Sequence, residues 1–268
     1  MSHPNGYVPR HSIRIRVGEA VVPALLLLPD GVDRDVPGAV LLHGYSSRKE
    51  RMADTVGRAL ALRGVASIAI DLPLHGDRQA PLEREAMRNP AALLRHWRLA
   101  LTECSATLDC FAKDPRYDPS RLAVVGYSLG AYVGLAVAAQ DPRVRAVVLA
   151  AAGDLPLGTP FERLLRTVAD PIDAVRRIAG RPLLMAHGTL DRTVQPVDAE
   201  RLFAAAGDPK EMRWWNAGHL LPEAAIDDAA AWLARQLRAR SSEERSGVAG
   251  GGSSIALHFK DFGAVAKW

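Results

Sequence analysis

One short segment of the chain combines a serine with two flanking glycines, Gly126-Tyr127-Ser128-Leu129-Gly130. Residues 121–125 before it are strand-like, and residues 131–140 after it are helix-like. A G-x-S-x-G pattern between a strand and a helix is typical of the nucleophile elbow, a tight turn that exposes a serine at the end of a sheet. The pattern therefore predicts that Ser128 is a nucleophile. The alternative is a glycine-lined turn in which Ser128 only caps the helix.

A serine nucleophile needs a base and an acid, and candidates for both follow it along the chain. Asp191 lies just after the strand-like run 182–187, at the end of a strand where open α/β sheets bind their ligands. His219 lies in the loop after the next strand-like run, 211–215. His219 would take the proton of Ser128, and Asp191 would orient the imidazole and stabilise its charged form. The order serine, aspartate, histidine predicts a catalytic triad.

Other titratable residues also follow strand-like runs, and the two triad candidates have ordinary alternatives. Asp154, at the end of the strand before that of Asp191, is the alternative acid. We expect His43 to stabilise its own loop, and His75 to brace its loop or to line the pocket. Asp191 could instead cap a turn. His219 could be a half-buried histidine bonded to the backbone.

Acyl transfer also requires backbone N–H groups that bind the oxyanion. One donor is expected from Leu129, directly after the nucleophile, and one from the loop that follows the third strand. That loop has the sequence Leu42-His43-Gly44-Tyr45-Ser46, and we predict Tyr45 as its donor. Donors of this kind contribute about 3 kcal/mol each.

Strand-like and helix-like runs alternate along most of the chain. The strand-like runs are residues 12–17, 21–28, 39–43, 65–70, 121–125, 145–150, 182–187 and 211–215. The helix-like runs are residues 49–62, 90–113, 129–140, 161–178, 196–206 and 222–240. This alternation predicts an α/β fold: a doubly wound, mostly parallel eight-stranded sheet with helices on both faces.

Residues 154–181 leave room for one or two helices between two strands, so we expect a small lid or none. Apolar residues there and in the insertion 79–90 could cover an open, mainly apolar acyl site. They are Leu155, Leu157, Phe161, Leu164 and Leu165, with Leu82 and Met87 in the insertion.

Composition and charge argue against a nucleic-acid-binding protein and against a membrane-spanning one. The 268 residues carry a mild net charge of +4, with scattered arginines, so no nucleic-acid partner is expected. No apolar run is long enough to span a membrane, and residues 1–10 lack a hydrophobic signal segment, which predicts a cytoplasmic protein. Cys104 and Cys110 fall on different faces of a predicted helix, so they should not be bonded to each other.

The chain is expected to divide into three parts. Residues 1–240 form the catalytic domain, residues 241–254 are a flexible Gly/Ser linker, and residues 255–268 are a tail of unknown role. The alternatives for the tail are a disordered segment or cloning remnant, and a short docking peptide that packs on another surface.

Together these motifs resemble the α/β-hydrolases, and among them the dienelactone-hydrolase-like and prolyl-oligopeptidase-like esterases. The matching segments are residues 43–45, 71–76, 126–130, 187–191 and 218–219. The resemblance implies the fold, the triad of Ser128, Asp191 and His219, and neither a metal nor an organic cofactor. Dienelactone hydrolases proper use a cysteine nucleophile, so the serine here favours plain ester cleavage.

The expected function is a serine carboxylesterase that acts on small to medium esters. Thioesterases, deacetylases and peptidases share the same triad and remain alternatives. A non-catalytic binding protein with this fold is a further alternative.

Overall fold

The chain folds around an eight-stranded mixed sheet, and the computed structural model describes residues 8–31, 34–79, 89–155 and 162–247. The strands are β1 (Arg10–Val17), β2 (Ala20–Leu27), β3 (Val36–Leu42), β4 (Ala66–Ile70), β5 (Tyr117–Tyr127), β6 (Val144–Ala150), β7 (Leu183–Gly188) and β8 (Lys210–Trp215). The helices are α1 (Lys49–Met52), α2 (Arg58–Ala61), α3 (Pro90–Lys113), α4 (Leu129–Gln140), α5 (Glu162–Ala169), α6 (Pro171–Arg177), α7 (Pro196–Ala205) and α8 (Glu223–Gly247). A π-helical turn, Ala53–Gly57, joins α1 to α2 without a break, and Gly76–Arg78 forms a 3₁₀ turn.

The strand order is β1-β2-β4-β3-β5-β6-β7-β8. β1 and β2 form an antiparallel hairpin, and β2 pairs antiparallel with β4. From β4 to β8 every neighbouring pair is parallel. The carboxyl ends of β3 to β8 therefore meet at one edge of the sheet, which is the edge where such folds place their ligand sites.

Two apolar layers cover the two faces of the sheet. Val40 and Leu42 of β3 point into one layer, and Ala39 and Leu41 point into the other, as the two-residue period of a strand requires. The first layer packs against α3, α4, α6 and α7, and the second against α1, the π turn, α2 and α8. Burial of the parallel strands on both faces explains their continuous apolar sequences.

The fold predicted from the sequence is confirmed, and the helix starts show why it could be predicted. α3 and α6 both have proline in their first turn. Their caps are Asn89 and Asp170, whose side chains accept N–H groups of the first turn. The segment between β6 and β7 contains the two short helices α5 and α6, as expected for a small lid. Cys104 and Cys110 lie on α3 and are free thiols, as predicted.

Two bounds differ most from the prediction. β5 begins at Tyr117, four positions before the predicted start, because the chain pairs with β3 on both sides of a register shift. α8 continues to Gly247, seven residues beyond the predicted end at residue 240. The division into a domain, a linker and a tail otherwise stays a prediction.

Several sequence-based expectations fall outside the described residues. They concern the linker beyond Gly247, the tail 255–268, the insertion residues Leu82 and Met87, and the apolar residues Leu157 and Phe161, together with the side chains of Leu164 and Leu165. Within the described ranges, no helix combines the length and the hydrophobicity needed to cross a bilayer.

Candidate active site

Ser128 lies at a strained turn between β5 and α4. Its φ of 50° and ψ of −115° are outside the regions that side-chain-bearing residues prefer, which costs about 1–3 kcal/mol. The surrounding packing enforces this turn. A side chain on Gly126 would overlap the carbonyl of Gly130, and one on Gly130 would overlap the carbonyl of Leu42. The two glycines of the motif are therefore needed for close approach, and the turn has the geometry of a nucleophile elbow.

The three residues of the predicted triad lie within hydrogen-bonding distance of one another. His219 Nε2 is 3.0 Å from Ser128 Oγ, and His219 Nδ1 is 2.8 Å from Asp191 Oδ2. They come from the carboxyl ends of β5, β7 and β8, which topology brings to one edge of the sheet. The serine hydroxyl can donate to Nε2 while Nδ1–H donates to the carboxylate, and this tautomer is the one in which imidazole can act as a base.

Asp191 is held by its own loop. Its Oδ1 accepts the backbone N–H groups of Thr193 at 2.8 Å and Val194 at 3.1 Å, which leaves Oδ2 for His219. The residue is 3% exposed. His187 Nε2 donates to the Val194 carbonyl at 3.0 Å and so braces the same loop from below. The carboxylate therefore has a fixed orientation and both oxygens have partners.

The loop predicted to complete the oxyanion hole lies directly against the nucleophile. A Cβ built on Gly44 would be 3.4 Å from Ser128 Cβ, and Tyr45 is the next residue. Leu129 is the first residue of α4, where a helix leaves its N–H groups without intrahelical acceptors. The N–H of Ser128 itself is taken by the Ala150 carbonyl at 2.9 Å. The assignment of Tyr45 and Leu129 as oxyanion donors stays a prediction.

Buried polar contacts fix the loop between β3 and α1 to the loop after β4. The amide and the ammonium of Lys49 both donate to the Asp71 carboxylate, at 2.9 and 2.8 Å. The Lys49 ammonium also donates to Asp77 at 2.6 Å. Burial lowers the pKa of Lys49, but its bonds to Asp71, Asp77 and Glu50 outweigh that effect and raise it overall. Lys49 therefore stays charged and ties the two loops together.

His43 is a structural residue in this network. Its Nδ1 donates to the Gly44 carbonyl at 2.8 Å, and its Nε2 accepts the Leu72 N–H at 3.0 Å. The residue has no exposed surface, and burial lowers its pKa to about 4. The imidazole is neutral at physiological pH, and both of its nitrogens are used to brace the loop.

This burial predicts a loss of stability in acid. A histidine that titrates near 4 when folded and near 6.5 when unfolded contributes stability that is complete above about pH 6.5 and is lost as the pH falls toward 4. The loss amounts to about 3 kcal/mol of unfolding free energy. Urea unfolding at about pH 7 and about pH 4 should show a loss about 3 kcal/mol larger in wild type than in His43→Gln, which does not titrate. Equal losses in the two proteins would contradict the assignment.

The two remaining sequence candidates have structural partners. Asp154 accepts hydrogen bonds from Arg166 at 3.0 and 3.2 Å and lies 3.4 Å from Arg201. Its carboxylate therefore binds α5 and α7 and does not orient His219. His75 donates through Nδ1 to the Pro73 carbonyl at 2.7 Å, and its ring packs edge-on against Tyr45 at 5.3 Å. His75 thus braces its loop, as expected, and also supports the side chain of Tyr45.

Sequence reasoning missed Tyr127, which precedes the nucleophile. Its hydroxyl donates to the His219 carbonyl at 2.5 Å and accepts the Leu221 N–H at 3.0 Å. Its ring lies edge-on to the His219 ring, with centroids 6.0 Å apart. In the sequence, Tyr127 stands at a variable position of the G-x-S-x-G motif, and that position alone does not indicate a role for it. Its partners could not be predicted, because they are more than 90 residues away.

The geometry agrees with the comparison to known families. A model of the alpha/beta hydrolase family matches residues 39–257, which is most of the chain. The chain belongs to this family. The resemblance predicted from the sequence is therefore confirmed.

Two curated relatives each share 27% sequence identity with this chain over the matched region. An esterase of Escherichia coli K12 is 27% identical over 248 residues, which cover 81% of this chain and 96% of that protein. A polyketide transferase of Stachybotrys chlorohalonatus is 27% identical over 175 residues, which cover 65% of this chain. The matched region spans 55% of the length of that transferase.

Solved structures share the fold of this α/β-hydrolase. A cold-adapted esterase from an Arctic intertidal metagenomic library superposes with a TM-score of 0.68 at 20% identity, covering 88% of this chain and 96% of the other. A puromycin-hydrolysing peptidase of Mycobacterium tuberculosis gives a TM-score of 0.70 at 21% identity, covering 87% of this chain and 40% of the other. At these identities the likeness concerns the fold.

Proposed function

We propose that this α/β-hydrolase is a serine carboxylesterase that cleaves small to medium esters through an acyl-enzyme on Ser128. The observation that carries the proposal is the pair of contacts made by His219, 3.0 Å to the hydroxyl of Ser128 and 2.8 Å to the carboxylate of Asp191. The named activity of the Escherichia coli relative supports the same class of reaction.

In the first half of the reaction Ser128 Oγ attacks the ester carbonyl carbon. Its proton passes to His219 Nε2, and Asp191 stabilises the imidazolium that forms. The carbonyl oxygen becomes an oxyanion, which the N–H groups of Leu129 and Tyr45 would bind. Collapse of this intermediate breaks the bond to the alcohol, which leaves with the proton from Nε2. The acyl group is then an ester of Ser128.

In the second half water replaces the alcohol. His219 Nε2 takes a proton from the water as it attacks the acyl carbon, and the same oxyanion donors serve again. The second intermediate releases the acid, and the proton returns to Ser128 Oγ. The enzyme is regenerated without a net change in its protonation, so no further reactant is needed.

The helices described between β6 and β7 support the proposed preference for small to medium esters. Two short helices, α5 and α6, lie between β6 and β7, where a large lid could otherwise be inserted. Tyr45, whose N–H is the predicted oxyanion donor, and Leu220, which follows the base, are exposed, with 49% and 75% of their surface accessible. This rim suits an ester with modest apolar groups rather than a long chain that needs enclosure.

A series of p-nitrophenyl esters from acetate to palmitate tests this function. We expect kcat/KM to be highest between acetate and octanoate and to fall at least about tenfold for palmitate, a difference of about 1.4 kcal/mol in transition-state binding. The same acyl groups presented as thioesters and anilides form the control panel. A maximum at palmitate would contradict the proposed substrate size, and a clear preference for thioester or amide would favour a thioesterase or a peptidase.

A further inference from the structure

Tyr127 joins the strand that carries the nucleophile to the loop that carries the base. Its hydroxyl donates to the carbonyl of His219 and accepts the N–H of Leu221, so one oxygen bonds to the backbone of the base and to that of the second residue after it. Because side chains alternate along a strand, Tyr127 lies on the same face as Val125, in the apolar layer that packs against α8, and from there its hydroxyl reaches the His219 loop. Two segments 92 residues apart are thereby fixed to each other.

The His219 loop has little regular structure of its own. It begins after β8 ends at Trp215 and continues to Glu223, where α8 starts. Its first half is bonded to the Asp191 loop, through Leu190 N–H to the Ala217 carbonyl at 2.9 Å. The hydroxyl of Tyr127 makes its two hydrogen bonds to the second half of the loop, which contains His219. Loss of this hydroxyl leaves the carbonyl of His219 and the N–H of Leu221 without that partner.

The position of His219 has a narrow tolerance, because its two ring nitrogens must meet two partners at once. Displacements of about 1 Å in such an arrangement lower rates by about a hundredfold. The Asp191 contact fixes one end of the imidazole, but a single hydrogen bond allows the ring to tilt about it. A second anchor on the backbone of His219 removes that freedom.

The phenol of Tyr127 remains a donor throughout the working pH range. Burial raises its pKa above the ordinary value, and this effect outweighs the opposing one of the Leu221 N–H. The phenol is therefore protonated near neutral pH and can donate to the His219 carbonyl.

We propose that Tyr127 is a positioning residue for the base, and that its hydroxyl sets the rate of proton transfer from Ser128 to His219. This inference rests on the proposed function, since it assigns Tyr127 to the same triad. It concerns the chemical step, so it predicts an effect on kcat and on nucleophile reactivity, with substrate binding unchanged.

Tyr127→Phe tests the proposal, because it removes the hydroxyl and keeps the ring. Tyr117→Phe is the matched control on the same strand. Within the described part of the chain the Tyr117 hydroxyl is buried without a hydrogen-bond partner. We expect kcat of Tyr127→Phe to fall about ten- to a hundredfold, with KM within about twofold of wild type. Covalent labelling by a fluorophosphonate should slow by the same factor, and Tyr117→Phe should match wild type in both assays.

The labelling time course separates positioning from folding. Its end point counts the molecules that fold, whereas its rate constant reports the reactivity of Ser128. An unchanged rate constant in Tyr127→Phe overturns the proposal, whether or not the end point falls. The downfield proton resonance of His219 Nδ1–H gives a second readout, which should shift or broaden in Tyr127→Phe and stay unchanged in Tyr117→Phe. Failure of wild type to label at Ser128 would instead contradict the proposed function itself.

Discussion

Ser128→Ala is expected to lower kcat/KM for a p-nitrophenyl ester by about 10⁵-fold. Removal of the nucleophile eliminates the acyl-enzyme route and leaves only what the oxyanion donors and substrate binding can provide, as in other serine hydrolases. Alanine keeps the strained backbone at this position and fills nearly the same volume. The midpoint of thermal unfolding should therefore stay close to that of wild type.

Ser67→Ala is the matched control for this variant. Ser67 is buried in β4, away from the candidate site, and within the described ranges its hydroxyl has no hydrogen-bond partner. Its loss should leave kcat/KM within about twofold of wild type, since no catalytic contact changes. Fluorophosphonate labelling followed by peptide mapping completes the test. A modified residue other than Ser128, or appreciable turnover in Ser128→Ala, would falsify the acyl-enzyme mechanism.

Asp191→Asn is expected to lower kcat by about 10⁴-fold near neutral pH. The two backbone N–H groups of Thr193 and Val194 need an acceptor, so the amide oxygen stays with them and the amide NH₂ faces His219. The imidazole must then accept at Nδ1 and carry its proton on Nε2. In that tautomer the ring donates toward Ser128 and cannot take its proton. Steady-state kinetics on the best ester of the series would measure the loss.

Asp154→Asn makes the same chemical change at the alternative acid. Asp154 is 5% exposed and contacts Arg166 and Arg201 rather than His219. Burial raises the pKa of Asp154, and the bonds from Arg166 outweigh this effect and lower it below the ordinary value, so the carboxylate stays charged. The variant should keep kcat within a few-fold of wild type and lose stability to urea. If it lost more activity than Asp191→Asn, the two carboxylates would have to exchange roles.

Elements with strong local signals could be predicted from the sequence. α3 and α4 have the predicted bounds, since Asn89-Pro90 and Ser128 mark their starts, and the helices end before Asp114-Pro115 and at Asp141. That Ser128, Asp191 and His219 lie close together could be predicted, because each follows a strand whose carboxyl end must lie at the same edge of the sheet. Local sequence and one topological rule were enough for these features.

Features that depend on distant partners could not be predicted. The bonds of Lys49 to Asp71 and of Tyr127 to the His219 loop join segments that have no pattern in common. The π turn at Ala53–Gly57 contains no proline, and its one glycine, Gly57, does not by itself predict a π turn. The end of α8 differs from the predicted end for another reason. Its serines and glycine suggested a linker, but the glutamates and arginine among them favour continuation of the helix.

The place of β6 in the sheet has a consequence for how such a catalyst changes over time. β6 lies between the strand that presents the hydroxyl and the strand that presents the carboxylate, yet it supplies no reacting group. Neighbouring strands are spaced about 4.8 Å apart, so β6 acts as a spacer that sets the gap across which the reacting groups must meet. In the proposed mechanism, substitutions among its apolar side chains would therefore change the distance between Ser128 and Asp191 as well as stability, so turnover could change while all three residues of the triad are retained.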